Sequence, residues 1–275
     1  MLKGMDGKVD RTALTIAGFD PSSGAGITAD LQVFAAHGVF GTSAISALTV
    51  QSTLGVQKVQ PVDAVLLRET LETLYEDLPP HGIKIGMLGG AEQVAQVVRH
   101  LSDCEGKRPI VVLDPIIRSS SGAPLLDADG LRELRDELLP LVDVITPNVG
   151  ELALLTGSQC NDDASIQSAA EQLALRFGCA VVVTGGDREK PDDLVFADGV
   201  WTRLSGQHIA TNATHGTGCA FSSSMLCHLL FGLSVVDAAR EAKAFVAEAM
   251  RSATPRGSGR GPMNLLWPVL RQSPL

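Results

Sequence analysis

The sequence predicts an α/β protein, a doubly wound and mostly parallel central sheet covered by helices on both faces, with a β-hairpin at one edge. Three observations carry that expectation. Short apolar, β-rich runs alternate with longer segments of helical period. Runs such as Ile110-Val111-Val112-Leu113 are continuously apolar, which marks strands buried on both faces. In LVFADGVWTRL, the pair Asp198-Gly199 separates two short runs with the turn chemistry of a hairpin.

Taken in order, TALTIAG is apolar and closed by glycine, so it reads as the first strand, and ITADLQVFAAHG carries the first helical period. IKIGML is the next apolar run, and AEQVAQVVRHL the next helical one. PIVVLDP, DVITPN and AVVVTGG are further strands, each stopped by Pro or Gly. GLRELRDELLPLV and SIQSAAEQLALRFG supply the helices between them. After the hairpin come two long helical patterns, Cys219 to Leu230 and Val235 to Arg251, and then a Gly/Pro/Arg stretch, TPRGSGRGPMN, that periodicity does not place. The expectation is one domain over residues 1–275, with 1–11 and 253–275 as flexible or extended tails.

Composition narrows the functional classes. At 275 residues, 45% hydrophobic and 19% charged, the chain has enough apolar material for a core and too little charge for disorder. Lys plus Arg is 22 and Asp plus Glu 31, so the net charge of −9 disfavours a broad nucleic-acid or anionic-membrane surface. Any phosphate site must therefore be local. The N-terminal stretch lacks the apolar core of a signal peptide, and no apolar run reaches roughly 18 residues, so a cytoplasmic protein is expected. Five cysteines without a CxxC pair indicate reduced thiols rather than a disulfide framework or structural zinc.

In open α/β sheets ligands sit beyond the carboxyl ends of the strands, and four loops there stand out. Gly18 to Gly26 is glycine-rich, so a ligand has access to backbone N–H groups; a tight turn before a capped helix is the plain alternative. It matches neither a Walker A loop nor GxGxxG. Asn212 to Cys219 places small residues at a helix start, an anion-binding nest in which the helix field favours a partly thiolate Cys219. The plain alternative there is a buried cysteine as apolar filler, with His215 as a polar cap. Asp114-Pro115 and Asn148-Val149-Gly150-Glu151 offer hard oxygen ligands for magnesium, although Asn148 and Glu151 also have capping-box spacing. Thr184-Gly185-Gly186-Asp187 either cradles a nucleotide or bends the chain. His37, His81, His100, His208 and His228 lack metal-ligand spacing.

Together AGFDPSSGAG, ALTVQST, KIGML, VLDPI, TPNVGE and THGTGC, in this order, resemble the hydroxymethylpyrimidine and phosphomethylpyrimidine kinases of thiamine biosynthesis, within the ribokinase-like superfamily. The resemblance covers about Thr12 to Arg251 and is most specific at THGTGC, where most other ribokinase-like kinases carry Asp in place of the cysteine. It implies ATP-dependent phosphorylation of 4-amino-5-hydroxymethyl-2-methylpyrimidine and then of its monophosphate, with Mg2+ and a homodimeric assembly. By the same resemblance, Cys219, Gly218 and Gly216 are catalytic, and Gly18, Asp20, Ala25, Gln51 and Met87 form the pyrimidine pocket. Asn148, Thr184, Gly186, His215, Thr217 and Lys243 lie at the nucleotide, and Asp114 and Glu151 at the metal. Thr184, Ala213 and Phe19 stand where the family often has Lys, Asn and Ser; the His that usually follows the stretch Gly257 to Pro262 is missing. A pyridoxal kinase and a non-catalytic pyrimidine sensor are the alternative readings.

Overall fold

The computed structural model describes residues 11–104, 108–119, 122–186 and 188–271. In chain order the elements are β1 (Thr12–Phe19), α1 (Gly26–Ala36), β2 (Phe40–Ser52), β3 (Gly55–Pro61), α2 (Ala64–Asp77), β4 (Gly82–Ile85) and α3 (Ala91–Ser102). There follow β5 (Ile110–Leu113), α4 (Ala128–Glu133), β6 (Val144–Ile145), α5 (Val149–Thr156), α6 (Asp163–Phe177) and β7 (Ala180–Val183). The chain closes with β8 (Asp193–Ala197), β9 (Val200–Leu204), α7 (Thr217–Leu230), α8 (Val235–Arg251) and α9 (Trp267–Arg271). Between α4 and β6 the backbone continues through a π turn, Leu134–Leu138, and a 3-10 turn, Leu139–Leu141.

Among the described residues, the strands form one sheet of order β3-β2-β1-β4-β5-β6-β7-β8-β9, parallel from β2 through β7. Because side chains alternate along a strand, each apolar run feeds two cores. Val111, Leu113, Ile145, Val181 and Val183 pack on one face, with Leu67 and Leu71 of α2, Val94 and Val97 of α3, and Leu173 of α6. Val112, Val144 and Val182 point to the other face, against Phe221, Met225 and Leu226 of α7 and Ala238, Ala239 and Ala242 of α8. This double burial is why the runs read as uninterrupted apolar stretches.

The expected hairpin is β8–β9, and its turn residues Asp198 (φ 52) and Gly199 (φ 75) both take left-handed conformations, as the two central positions of a type I′ turn require. A second antiparallel pair, β2–β3, lies at the opposite edge. Its turn, Thr53-Leu54, has no Asn-Gly or Asp-Gly signature, so the sequence pattern did not reveal it.

The expectation of a flexible or extended tail needs correction after residue 253. Met263 and Leu265 are buried against Phe245 and Ala249, Pro262 bridges to His215, and α9 follows. Apolar residues spaced by glycines carry too little periodicity to announce this docking. Residues 1–10 and 272–275, where the rest of the expected tails fall, lie outside the described residues, as does Asp187.

The strand order reverses between β1 and β4, since the chain runs outward from β1 to β2 and β3 and then returns to β4 on the other side. Such a switch point opens a crevice at the carboxyl ends of the strands, because the neighbouring connections leave on opposite faces.

Candidate active site

The loop after β1 is held by one carboxylate. Asp20 Oδ1 accepts the Ser22 N–H (2.8 Å) and hydroxyl (2.7 Å), while Oδ2 accepts the N–H groups of Gly24 (3.2 Å) and Ala25 (2.9 Å). His215 Nε2 also reaches Oδ2, at 2.7 Å, across 195 residues of sequence. Burial works against the Asp20 charge, but the His215 and Ser22 hydrogen bonds outweigh it and hold the carboxyl below its usual range. Asp20 therefore lines the cleft chiefly as the clasp of its own loop. Gly26 (φ +61) closes this turn, and a Cβ there would meet the Gly18 carbonyl oxygen at 2.1 Å.

The second loop delivers the start of α7. Gly216 (φ 79) is the residue before the helix, and α7 has no side-chain cap, so the first-turn N–H groups are left to face the cleft. A Cβ on Gly216 would fall 1.9 Å from the Gly24 carbonyl oxygen, so only glycine lets the two loops touch. The nest of Gly216, Thr217 and Gly218 thus sits directly against the glycine-rich loop.

Cys219 lies in the first turn of α7, 5% exposed, where its sulfur accepts the Gly26 N–H. The expected partial thiolate is not what the free protein holds. Burial pushes the thiol up to about 12, the carboxylates of Asp114 and Asp30 add to that, and the opposing charge of Lys84 does not reverse it. Desolvation outweighs the helix field because the residue is almost entirely removed from water.

Asp114 follows β5, buried, and accepts hydrogen bonds from Ser222 Oγ at 3.4 Å and from the Cys219 thiol. Burial raises its pKa to about 6 against the pull of Lys84. Its carboxylate faces the nest, since a Cβ on Gly218 would lie 3.5 Å from Oδ2. Glu151 opens α5 and completes the capping box anticipated for it. Its Oε2 accepts the Asn148 N–H at 2.8 Å, and Asn148 Oδ1 accepts the Glu151 N–H at 2.9 Å. Both carboxylates line the same cleft. Magnesium that keeps most of its waters needs only one or two such oxygens, so this donor pair fits it. Among the described residues there is no cluster of three or more His, Cys, Asp and Glu of the kind a fully caged metal would need.

The far end of the cleft is built from Asn148, Thr184, Gly186 and Lys243. Thr184 bridges to Asn148, and Gly186 has open space where a side chain would be. Lys243 Nζ is engaged by Asp193 Oδ2 at 2.8 Å and by the Pro191 carbonyl at 2.7 Å, so it braces the loop between β7 and β8. The cleft as a whole, about 2230 Å³, also takes in Gly18, Ala25, Gln51 and Met87. That volume exceeds the roughly 300–1,000 Å³ of a one-ligand pocket and leaves room for a nucleotide beside a small second substrate.

One part of the site was missed in the sequence. Lys84 of β4 is fully buried, 2.9 Å from Asp30 Oδ2 of α1. Asp30 also accepts the hydroxyls of Thr15 (2.6 Å) and Ser223 (2.8 Å), so the network joins β1, α1, β4 and α7 beneath the nest. Burial works to discharge Lys84, yet Asp30, with Cys219 and Asp114 behind it, more than reverses this and holds the ammonium charged. The available signal was one Lys and one Asp, the only charged residues in the segments GIKIG and ITADLQVF, which pair only in three dimensions.

A mostly parallel sheet with an uncapped helix start facing strand-end carboxylates across a wide cleft matches the ribokinase-like small-molecule kinases. The family model for phosphomethylpyrimidine kinase matches residues 20–264, and the chain belongs to that family. A hydroxymethylpyrimidine/phosphomethylpyrimidine kinase of Haemophilus influenzae is 40% identical over 92% of this chain and 96% of its own length. Among solved structures, phosphomethylpyrimidine kinase from Clostridium difficile 630 superposes with a TM-score of 0.76 at 31% identity, covering 87% of this chain and 99% of that one. An ADP complex of Bacillus subtilis pyridoxal kinase superposes with a TM-score of 0.84 at 30% identity, covering 96% and 100%. The fold is thus common to both kinase types.

Proposed function

We propose that this kinase transfers the γ-phosphoryl group of ATP to the hydroxymethyl oxygen of 4-amino-5-hydroxymethyl-2-methylpyrimidine, and then a second phosphoryl group to the monophosphate. The observation that carries this reading is a cysteine in the first turn of α7 beside an uncapped glycine nest, in a chain of the phosphomethylpyrimidine kinase family. Gln51 offers both a donor and an acceptor to an aminopyrimidine edge, and Gly18, Ala25 and Met87 line the same cleft.

Phosphoryl transfer asks mainly for in-line positioning and charge stabilisation. The N–H groups of Thr217 and Gly218 and the dipole of α7 supply the latter for the transferring group. Asp114 and Glu151 would hold a magnesium ion, which supplies charge neutralisation on the phosphates. Asn148, Thr184 and Gly186 border the nucleotide, and Lys243 orders the loop beside it. In the first step Cys219 takes the hydroxyl proton. Its thiol is protonated near neutrality, so the reactive thiolate fraction grows about tenfold per pH unit below its pKa. The first step should therefore accelerate with a log–log slope near one between about pH 7 and 9, while the second, whose attacking phosphate is already charged, stays nearly flat. Equal slopes in pH–rate profiles of the two steps would contradict the base role.

The chain reads as a single kinase domain working in the cytoplasm; among the described residues no helix is long and apolar enough to cross a membrane. A homodimer is supported by Leu48, Val50 and Leu54, exposed on β2 and its turn into the edge strand β3, and by Phe40, exposed at the start of β2. Sedimentation should give twice the 28.8 kDa chain mass, and Val50→Asp with Leu54→Asp should halve it.

The direct test is ADP release with magnesium and ATP on the hydroxymethylpyrimidine, its monophosphate and pyridoxal in parallel. Turnover of both pyrimidines with little on pyridoxal is the expected result. Preference for pyridoxal would replace this reading with that of a vitamin B6 kinase, in keeping with the close superposition on pyridoxal kinase. Binding of a pyrimidine without ADP release would make the protein a sensor.

A further inference from the structure

After α8 the chain runs beside the cleft as a glycine-spaced strap, Gly257 to Pro262, of which Gly259 and Arg260 line it. Gly259 N–H donates to Thr53 Oγ1 at 3.3 Å and Arg260 N–H to the Thr53 carbonyl at 2.9 Å. Gly261 N–H then donates to the Asn212 carbonyl at 2.8 Å, and its own carbonyl accepts the His215 N–H at 3.1 Å. The strap thus ties the β2–β3 turn, two residues beyond Gln51, to the residue that precedes the Gly216 nest. Glycine makes this approach possible. A Cβ on Gly259 would lie 2.0 Å from the Thr53 carbonyl oxygen, and one on Gly257 (φ +72) 2.3 Å from Thr53 Oγ1.

Arg260 is the charged residue between these two attachments. Its side chain is exposed, lines the cleft, and has no ion-pair partner among the described residues. Arg188, Arg203 and Arg240, by contrast, are each paired with aspartates. In a chain of net charge −9, an unpaired guanidinium held by its backbone between the pyrimidine end and the phosphoryl-transfer end is suited to an anion that spans them. Of the two phosphoryl acceptors, only the monophosphate carries such an anion, and a guanidinium fork matches a phosphate monoester bidentately.

We propose that Arg260 is a specificity-determining residue for the second phosphorylation, its guanidinium pairing with the phosphate ester of the pyrimidine monophosphate. This rests on the functional reading above. It is tested by kcat/KM for the hydroxymethylpyrimidine and for its monophosphate, in wild type, Arg260→Gln and Arg260→Lys. The ratio of monophosphate to alcohol should fall about 10- to 100-fold in Arg260→Gln, the loss typical of one charge-assisted contact, and Arg260→Lys, which keeps the charge but not the fork, should restore only part of it. A purely structural strap residue would lower both values together, and that outcome overturns the proposal. So does an unchanged ratio in an active enzyme, or a ratio that moves instead with Arg118→Gln, the other exposed cleft arginine without a partner among the described residues. A wild type inert on both pyrimidines overturns the functional reading, and the proposal with it.

Discussion

Cys219→Ala should slow the first phosphorylation by about 10²- to 10⁴-fold and leave the second within a few-fold of wild type. The asymmetry follows from the two nucleophiles. A primary alcohol must lose a proton as it attacks phosphorus, whereas a phosphate ester near neutral pH already carries about −1.5 to −2 charge and needs no base. The structure adds a reason for the size of the effect. Cys219 is 5% exposed and its sulfur is held by the Gly26 N–H, so bulk water is poorly placed to take over as proton acceptor once the sulfur is gone. The nest survives the substitution, because Gly216 to Gly218 contribute backbone N–H groups alone, and residual charge stabilisation should persist in both steps. The measurement is single-turnover formation of each product by the variant. Equal losses on the two steps would make Cys219 a packing residue.

Lys84→Met should destabilise the protein by about 3–5 kcal/mol, the usual cost of removing one partner of a buried ion pair. Both groups are fully buried, and the variant would leave Asp30 with only the hydroxyls of Thr15 and Ser223. The double variant Lys84→Met/Asp30→Leu removes the second charge too and should recover much of the loss, because a well-packed apolar pair often matches a buried ionic one. Urea denaturation of the two variants beside wild type decides the matter. A double variant no more stable than the single one would show that the network's worth lies in its hydroxyl bonds to β1 and α7. Since Ser223 lies one helical turn beyond Cys219, the single variant should also loosen the seating of the nest on the sheet.

Much of this architecture was legible before any coordinate. The apolar, β-rich runs became β4, β5 and β7, and the segment Val235 to Arg251 became α8 with those same bounds. Asp198-Gly199 announced its hairpin because a left-handed turn restricts which residues fit. The β2–β3 hairpin had no such restriction at Thr53-Leu54, and the docked strap had glycines in place of a period. The glycine-rich loop, the nest and the strand-end carboxylates were each visible as local patterns. Their assembly into one cleft was not visible, and neither was the contact between Asp20 and His215, 195 residues apart.

The sequence by itself determined the layered α/β order, the loops where chemistry could gather and the cysteine at the head of α7, because periodicity, turn residues and motif spacing are properties of neighbouring positions. Tertiary structure alone decided what those residues are chemically. It set Cys219 as a protonated thiol, Asp20 as a clasp, and Lys84 as a buried cation held by Asp30. The physical reason is that charge state and hydrogen-bond capacity depend on burial and on partners brought from distant segments, and neither is written in the residues alongside.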